Sequence, residues 1–388
     1  MTLRGADAAT VRAALDAGDP LPGTPGFAGE LDGRLVRDVL GRQPLFSATD
    51  DPARWSFDPA DLDDPHRLPA GHFRPIDPDG KNGDAEDDGH EYGDGAGDGE
   101  GDGCGSGDWQ AWNLPDPEPV APVEDAVTAV RTAVRNTVEG IDADGLAVAF
   151  SGGVDSAALA ALVDAPLYAA GFPGSHDLDA ARTAADRLGR SLRTVELSHG
   201  DLESAVPAVA AATGRTNAMD VQIALPLYLT ASRATADGFD RLLLGQGADE
   251  LFGGYAKVAG APTDQRVDAT TVRGATREVI ATLPDQLERD VLALRRAGVE
   301  PVVPYLHDRV VRTALELPGE LLVTPDGERK HALRRAVAAW LPDAVAGREK
   351  KALQYGSLVA RELDRLARQA GFKRRMGDHV TKYVESLL

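Results

Sequence analysis

The stretch that most constrains this chain is a short apolar run that ends in a hydroxyl, two glycines, an aspartate and a second hydroxyl. The apolar run covers residues 145–150, and residues 151–156 read Ser-Gly-Gly-Val-Asp-Ser. An alanine- and leucine-rich segment follows, so the pattern predicts a strand, a tight loop and the start of a helix. Glycines let backbone amides turn toward an anion, and a helix start adds positive potential. The stretch therefore predicts a phosphate-binding loop.

The side chains of this loop indicate how phosphate would be held. The hydroxyls of Ser151 and Ser156 can donate to phosphate oxygens, whereas Asp155 would repel phosphate unless a cation lay between them. Asp155 therefore indicates Mg²⁺. The chain lacks the Gly-x-x-x-x-Gly-Lys-Ser/Thr pattern, so this is not a kinase-type loop. A tight turn without a ligand is the structural alternative.

Length and composition limit the class of protein. The 388 residues can form two domains, and 43% hydrophobic residues is ordinary for a soluble protein. No apolar run is long enough to span a bilayer, and the N-terminus has no apolar signal-peptide core. The single cysteine, Cys104, excludes an internal disulfide or a cysteine metal cluster. We therefore expect a cytoplasmic protein without a membrane partner.

The net charge of −21 argues against nucleic-acid binding, which needs a basic surface. Residues 77–108 hold 12 acidic residues against one lysine, and lysine makes up only seven of the 41 basic residues. Abundant aspartate with little lysine resembles the composition of proteins from salt-loving archaea, in which high salt would screen self-repulsion. An acidic mesophile protein with an acidic linker is the alternative.

Residues 1–76 are predicted to form a small β-rich domain. They contain a helical pattern over residues 7–17 and a hairpin signal, Asp32-Gly33, between two apolar runs. Residues 77–108 are rich in glycine and aspartate and offer almost nothing to bury, which predicts a disordered linker whose bounds we place at residues 77–118.

Residues 27–74 resemble the C-terminal half of glutamine amidotransferase domains of the N-terminal-nucleophile type. The resemblance is carried by Val-Arg-Asp at 36–38, Gly-Arg-Gln-Pro-Leu-Phe at 41–46 and Leu-Pro-Ala-Gly-His-Phe at 68–73. In that family a cysteine at the mature N-terminus is catalytic, whereas this chain has Thr2. The resemblance therefore implies a truncated, degenerate packing domain without glutaminase activity.

From residue 119 onward, helical and strand patterns alternate. Helices are expected over residues 124–139, 157–163, 178–188, 202–213 and 221–236, and strands over residues 145–150, 167–172, 192–197 and 239–244. Strands separated by helices predict an α/β fold with a doubly wound parallel sheet, whose ligand site lies at the carboxyl ends of the strands. Asp177 is a plausible N-cap for the helix at 178–188.

A second glycine-rich motif follows the last of these strands. Residues 245–255 read Gly-Gln-Gly-Ala-Asp-Glu-Leu-Phe-Gly-Gly-Tyr. Asp249 can supply Mg²⁺ with a second carboxylate opposite Asp155, and Tyr255 or Phe252 can form a wall of the pocket. A glycine-rich loop alone would be a turn, but its place after a strand and downstream of a phosphate loop predicts a site.

Together the two motifs resemble the synthetase domain of glutamine-dependent asparagine synthetases, within the PP-loop ATP pyrophosphatase superfamily. The second motif matches at ten of eleven positions, and the resemblance extends from about residue 120 to residue 357 in family order. It implies an adenine nucleotide α-hydrolase-like, Rossmann-like domain over residues 119–388, with a C-terminal helical part.

The resemblance also implies a two-step reaction. A carboxylate, in the family the aspartate side chain, attacks the α-phosphorus of ATP bound with Mg²⁺, and ammonia or another amine then displaces AMP. The implied catalytic residues are Lys330, Lys350, Gln246 and Glu300. The implied nucleotide-binding residues are Ser151, Gly152, Gly153, Val154, Asp155, Ser156, Gly245, Gly247 and Arg348, with Asp155 and Asp249 on the metal. Lysine is suited to phosphate as a compact point charge, although a solvated basic face is the alternative for the two lysines.

This chain departs from the family around the acceptor rather than around ATP. Gln246 stands where the family has a glutamate thought to deprotonate the attacking ammonium, and an amide cannot accept that proton. Val302 replaces an arginine, and His307 replaces an aspartate, with Asp308 one place later. If the missing base limits the reaction, replacing Gln246 with Glu should raise ammonia-dependent turnover.

The sequence thus predicts an ATP-dependent, asparagine-synthetase-like amide ligase. It would use free ammonia, another amine, or ammonia from a separate glutaminase-like subunit, and a homo-oligomer is compatible with the sequence. One alternative is a related ligase acting on another carboxylate, of the β-lactam-forming or peptide-modifying type. The other is a nucleotide-binding regulatory protein whose transfer step has decayed.

Overall fold

A computed structural model of the chain describes residues 2–77, 107–261, 263–346 and 353–388. The N-terminal part is built from short strands and one helix. They are β1 (Thr2–Arg4), α1 (Ala8–Ala17), β2 (Ala28–Leu31), β3 (Arg34–Arg37), β4 (Phe46–Ala48), β5 (Trp55–Ser56), β6 (Pro65–Arg67), β7 (His72–Pro75) and β8 (Trp109–Gln110). An antiparallel sheet has the order β1-β2-β3-β7-β8, and a smaller one has the order β5-β4-β6. The small β-rich domain predicted from the sequence is therefore present.

Local sequence signals explain how this domain starts. Asp7 caps α1, since its carboxylate accepts from the Thr10 amide at 2.9 Å. Asp32 and Gly33 have φ values of 48° and 74°, as a two-residue hairpin turn requires, and they join the antiparallel strands β2 and β3. The predicted hairpin is confirmed.

The segment predicted to be a linker, residues 77–118, is described only at residue 77 and over residues 107–118, where it contains the strand β8. Trp109 and Gln110 pair with Phe73 and His72 as the edge strand β8, although Trp109 itself is exposed. Trp112 is buried, because its indole packs edge-on against Phe27 with ring centroids 5.6 Å apart. Residues 78–106, including Cys104, lie outside the described residues.

The second part of the chain alternates helices and strands and then becomes mainly helical. Up to the last strand its elements are α2 (Val123–Glu139), β9 (Leu146–Ala149), α3 (Val154–Leu162), β10 (Leu167–Gly171), α4 (His176–Leu188), β11 (Leu192–Glu196), α5 (His199–Thr213), α6 (Ala218–Ala236), β12 (Arg241–Leu243), α7 (Ala248–Leu251), α8 (Ala256–Ala259), α9 (Val272–Ala281), α10 (Leu283–Arg296) and β13 (Glu300–Val302). The helices that follow are α11 (Asp308–Leu315), α12 (Gly319–Leu322), α13 (His331–Val337), α14 (Asp343–Ala346), α15 (Leu353–Gly356), α16 (Val359–Gln369) and α17 (His379–Glu385). Short 3₁₀ turns cover Pro59–Asp61, Pro304–Leu306, Ala338–Trp340 and Arg374–Met376.

The five strands of this part form one parallel sheet in the order β11-β10-β9-β12-β13. Its two faces are both covered: Leu146 and Val148 of β9 pack with α2 and α3, whereas Ala147 packs with α6 on the other face. From β9 the chain continues to β10 and β11 on one side of the sheet, and it then crosses to β12 and β13 on the other side of β9. The predicted doubly wound α/β fold is therefore confirmed, with its topological switch point between β9 and β12.

One predicted cap is wrong. Ser175, not Asp177, caps α4, because the Ser175 hydroxyl oxygen accepts from the Leu178 amide at 3.3 Å. Asp177 lies in the first turn of α4 and is buried. Within the described ranges, no helix is both long enough and apolar enough to cross a membrane.

A buried ion pair joins the two parts of the chain. The Arg42 guanidinium donates to Asp308 Oδ1 at 2.6 Å and to the Leu306 carbonyl at 2.6 Å. The other Asp308 oxygen accepts from the Thr24 amide at 2.7 Å. Next to Leu306, the Tyr305 hydroxyl donates to the Asp155 carbonyl at 3.0 Å. The N-terminal domain therefore contacts Leu306, which directly follows Tyr305, the residue that hydrogen-bonds to the phosphate loop.

Candidate active site

The predicted phosphate loop connects the carboxyl end of β9 to the start of α3. The Ser156 hydroxyl oxygen accepts from the Ser151 amide at 3.1 Å, and the two hydroxyls lie 3.1 Å apart. Gly152 has φ +69°, and a Cβ there would lie 2.6 Å from the Ala180 carbonyl oxygen of α4. Only glycine fits this turn, which directs the first amides of α3 toward the carboxyl edge of the sheet.

The second motif approaches the first because small residues allow it. A Cβ at Gly245 would lie 3.1 Å from the Asp155 Cβ. A Cβ at Gly254 would lie 2.0 Å from Asp249 Oδ1 and 2.6 Å from the Lys330 Cε. The loops after β9 and β12 therefore meet at the switch point, where this fold class binds ligands.

Lys330 occupies the junction of the two loops. Its Nζ lies 2.7 Å from Asp155 Oδ2 and 2.7 Å from Asp249 Oδ1. Burial opposes the charge of Lys330, but the Asp155 and Asp249 carboxylates outweigh it and hold the lysine pKa above its usual value. Its backbone has φ 59°, a left-handed conformation that costs about 1–2 kcal/mol for a residue with a Cβ. Such strain is found at functional sites.

A cavity of about 420 Å³ opens between the two loops, which is within the usual range for small-molecule sites. One part of its wall is apolar and includes Ile223 and Leu227 of α6. The rest is polar and includes Lys330 together with Arg289 and Asp290 of α10. The cavity thus joins an apolar surface to a charged one.

Gln246 belongs to a polar network that the sequence did not reveal. Its side-chain amide donates to Asp290 Oδ2 at 2.6 Å, and the Arg289 Nε donates to Asp290 Oδ1 at 2.7 Å. Arg289 also donates to Asp220 of α6 at 2.8 Å. A signal was present, because Asp290 falls on the apolar stripe of α10 between Leu287 and Leu294. A charged residue on a buried stripe indicates a partner or a site.

The acidic side of the second motif is held by its own hydrogen bonds. Glu250 accepts from the Tyr255 hydroxyl at 2.6 Å and from the Gly247 amide at 3.1 Å. Burial raises the pKa of Glu250, and the Asp249 charge adds to this. Tyr255 lines the cavity as expected, whereas Phe252 is fully buried in the core.

The structure brings most of the predicted site residues to this cavity. Those that line it are Ser151, Gly153, Val154, Asp155, Ser156, Gly245, Gln246, Asp249 and Lys330. Gly152 faces α4 instead, and a Cβ at Gly247 would lie 2.6 Å from the Leu306 side chain. These two glycines therefore shape the loops rather than line the cavity. Arg348 and Lys350 lie outside the described residues.

Glu300 is not brought to the cavity. It is the first residue of β13 and pairs in register with Arg241, the first residue of β12. In a parallel sheet this position lies at the amino edge, opposite the two loops. Its carboxylate binds Arg295 there at 2.6 Å. The geometry gives Glu300 a structural role in place of the predicted catalytic one.

The donor set fits the magnesium ion that the sequence indicates. Asp155 and Asp249 come from the two loops and converge on one point, which the Lys330 ammonium reaches. Among the described residues, no three acidic, histidine or cysteine side chains form a metal site by themselves. Mg²⁺ commonly binds to one or two carboxylates and completes its shell with phosphate oxygens and water. The pair therefore fits a metal that would arrive with a nucleotide.

A Ser-Gly-Gly-x-Asp-Ser loop at the switch point of a parallel sheet defines an α/β domain of the PP-loop class. The asparagine synthase family model matches residues 128–278 and 262–382, so the chain belongs to the asparagine synthase family.

Individual relatives agree with this assignment. The chain is 32% identical over 282 residues to a putative glutamine-hydrolysing asparagine synthetase 1 of Methanocaldococcus jannaschii. This match covers 64% of this chain and 52% of that protein. It is 30% identical over 190 residues to the glutamine-hydrolysing asparagine synthetase B of Escherichia coli, covering 49% of this chain and 34% of the relative. A Brassica oleracea asparagine synthetase is 26% identical over 231 residues, covering 54% and 39%. The chain thus spans about half or less of the length of these relatives.

Proposed function

We propose that this protein is an ATP-dependent amide ligase that converts a carboxylate, in the first instance the aspartate side chain, into an amide with release of AMP and pyrophosphate. The observation that carries the proposal is the convergence of Asp155, Asp249 and Lys330 between two glycine-rich loops. Family membership supports the same chemistry. The names of the relatives, which are asparagine synthetases, support aspartate as the first carboxylate to test.

In the proposed first step, the nucleotide lies across the cavity. The Ser151 and Ser156 hydroxyls and the first amides of α3 bind the β- and γ-phosphates. Asp155 and Asp249 would hold Mg²⁺, which would neutralise phosphate charge when bound. Lys330 places a buried positive charge where the leaving pyrophosphate gains negative charge. The carboxylate oxygen attacks the α-phosphorus, the bond to pyrophosphate breaks, and an acyl-adenylate forms.

In the proposed second step, an amine attacks the acyl carbon and AMP leaves. We propose free ammonia, another amine, or ammonia from a separate glutaminase-like subunit as the source.

A single assay tests the proposal. The protein is incubated with MgATP, aspartate and ammonium in high salt, and AMP, pyrophosphate and asparagine are measured. Equal yields of the three products are expected. AMP formed only with a different carboxylate would instead favour the related ligase. ATP that binds without turnover, with any carboxylate offered, would overturn the ligase proposal and leave a regulatory nucleotide-binding protein.

A further inference from the structure

We propose that Asp290 is the catalytic residue that accepts the proton released by the attacking amine. The inference rests on the proposed amide-ligase function and adds a residue to it. When ammonia attacks the acyl-adenylate, its lone pair forms the C–N bond and the nitrogen becomes positively charged. The bond from the acyl carbon to the AMP oxygen then breaks, and AMP leaves with that electron pair. One N–H proton must pass to a base, and general-base catalysis of such a step is worth about 10²–10⁴-fold.

The position of Asp290 suits this role. It lies on α10 and lines the cavity, although only 3% of the residue is exposed. Two Arg289 nitrogens donate to the Asp290 carboxylate, one to Oδ1 at 2.7 Å and one to Oδ2 at 3.1 Å. The Gln246 side-chain amide donates to Oδ2 at 2.6 Å. The carboxylate is therefore held in a fixed orientation against Gln246, which belongs to the loop that follows β12.

The other carboxylates of the cavity wall are engaged elsewhere. Asp155 and Asp249 bind the Lys330 ammonium on the phosphate side. Glu250 accepts hydrogen bonds from Tyr255 and Gly247.

Asp177 follows β10, which is separated from β12 by β9. Within the described part of the chain, Asp290 is thus the cavity carboxylate that contacts Gln246 directly. Because Gln246 carries an amide, which cannot take up a proton, the neighbouring carboxylate is the basic group of that contact.

Gln246 and Asp290 are chemically matched. An amide nitrogen can donate to a carboxylate at 2.6 Å, whereas a glutamate at position 246 would face the Asp290 carboxylate at that distance as a like charge. This geometry reverses the expectation drawn from the sequence. The single substitution Q246E should lower ammonia-dependent turnover, because it places two carboxylates at one point.

Several charged and titratable groups surround Asp290. Arg289 of α10 forms an ion pair with Asp290. The same guanidinium also donates to Asp220 of α6, and Asp220 forms a further ion pair with Arg215. Tyr255 faces Asp290 from the second motif. Burial and then the charge of Glu250 raise the pKa of the Tyr255 hydroxyl, and Asp290 adds to the effect.

The test separates the two half-reactions in the full-length protein. Pyrophosphate–ATP exchange with aspartate reports adenylation, and asparagine formation from ammonium reports transfer. D290N should leave exchange within about threefold of the unmodified protein and lower asparagine formation about 100-fold. Hydroxylamine is a less basic amine whose adduct loses its proton more readily, so hydroxamate formation should fall far less. If D290N forms asparagine at the unmodified rate, the inference is overturned.

A charge exchange keeps the test independent of folding defects. The double substitution Q246E/D290N returns one carboxylate to the same contact. It should form asparagine at least tenfold faster than D290N does. D220N is the matched control, since it also removes a carboxylate from Arg289 but lies outside the cavity wall; it should change transfer less than threefold. Equal loss of transfer in D220N and D290N, or no recovery in the double variant, would contradict the inference. Absence of exchange in the unmodified protein would instead overturn the proposed function itself.

Discussion

The Lys330 ammonium and the Asp155 carboxylate are 175 residues apart in the sequence and 2.7 Å apart in the structure. Asp155 is fixed by the first turn of α3, and Lys330 is fixed by a left-handed backbone immediately before α13. The contact therefore joins the phosphate loop to the C-terminal helices. Asp249 completes it from the loop after β12.

Replacing Lys330 by Gln should abolish most of the adenylation step. The substitution removes the buried positive charge that stabilises the leaving pyrophosphate, so pyrophosphate release should fall about 10²–10³-fold. Lys257→Gln is the matched control, because Lys257 stacks on the Tyr255 ring at 6.0 Å but does not line the cavity. The rate of pyrophosphate release by Lys257→Gln should stay within about twofold of that of the unmodified protein. Similar rates in the two variants would show that Lys330 is structural only.

Replacing Gly152 by Ala should weaken both the loop and nucleotide binding. The substitution forces a Cβ into a positive-φ turn and to within 2.6 Å of the Ala180 carbonyl. Gly189, which ends α4, has nearly the same φ of +64° but open space around a Cβ. Gly189→Ala should therefore cost only about 1 kcal/mol of stability, with ATP affinity unchanged. Titrations of ATP against both variants should show a loss for Gly152→Ala alone, and an equal loss in both would contradict the steric account.

The ion pair between Arg42 and Asp308 should hold the two parts of the chain together. Both side chains are almost completely buried, so Asp308→Asn should lower the free energy of unfolding by about 3 kcal/mol. Asp19 and Arg312 form a second pair across the same interface at 3.3 Å, but they are half exposed. Asp19→Asn should therefore cost less than about 1 kcal/mol. Urea denaturation of both variants measures the difference, and equal costs would contradict the assigned importance of burial.

His307 should make this interface sensitive to acid. Burial lowers the pKa of His307, and its Nδ1 accepts from the Arg309 amide at the start of α11. The unfolded chain then binds more protons than the folded one, so stability falls as the pH drops below the unfolded pKa of about 6.5. His307→Asn keeps a helix cap without this titration. As the pH falls from 8 to 5.5, the free energy of unfolding should decrease less for His307→Asn than for the unmodified protein. If the free energies of unfolding of the two proteins change in parallel with pH, this role of His307 is refuted.

The elements that the sequence predicted correctly depend on short-range signals. The Asp32-Gly33 turn, the alternation of strands and helices and both glycine-rich loops are set by a few adjacent residues. From these the parallel sheet and the meeting of the loops follow, because carboxyl ends of parallel strands share one edge.

The features that the sequence did not predict depend on contacts between distant segments. Asp290 reaches Gln246 across 44 residues, and no local pattern specifies that pairing. Trp112 is buried against Phe27 and Ala14, which are distant from it in the sequence. The family resemblance implies a catalytic role for Glu300, although its place at the start of β13 puts it on the amino edge of the sheet. The distance of Glu300 from the cavity follows from its position along the strand, which the motif does not specify.

The central claim is that a carboxylate of the substrate attacks the α-phosphorus of ATP in the cavity beside Lys330. Aspartate labelled with ¹⁸O in its side-chain carboxylate tests this directly, because the attacking oxygen stays with phosphorus when the amine displaces AMP. Mass spectrometry of the products should find one ¹⁸O atom in the AMP phosphate and one in the asparagine amide. Label in inorganic phosphate together with ADP, or AMP without label, would contradict the account.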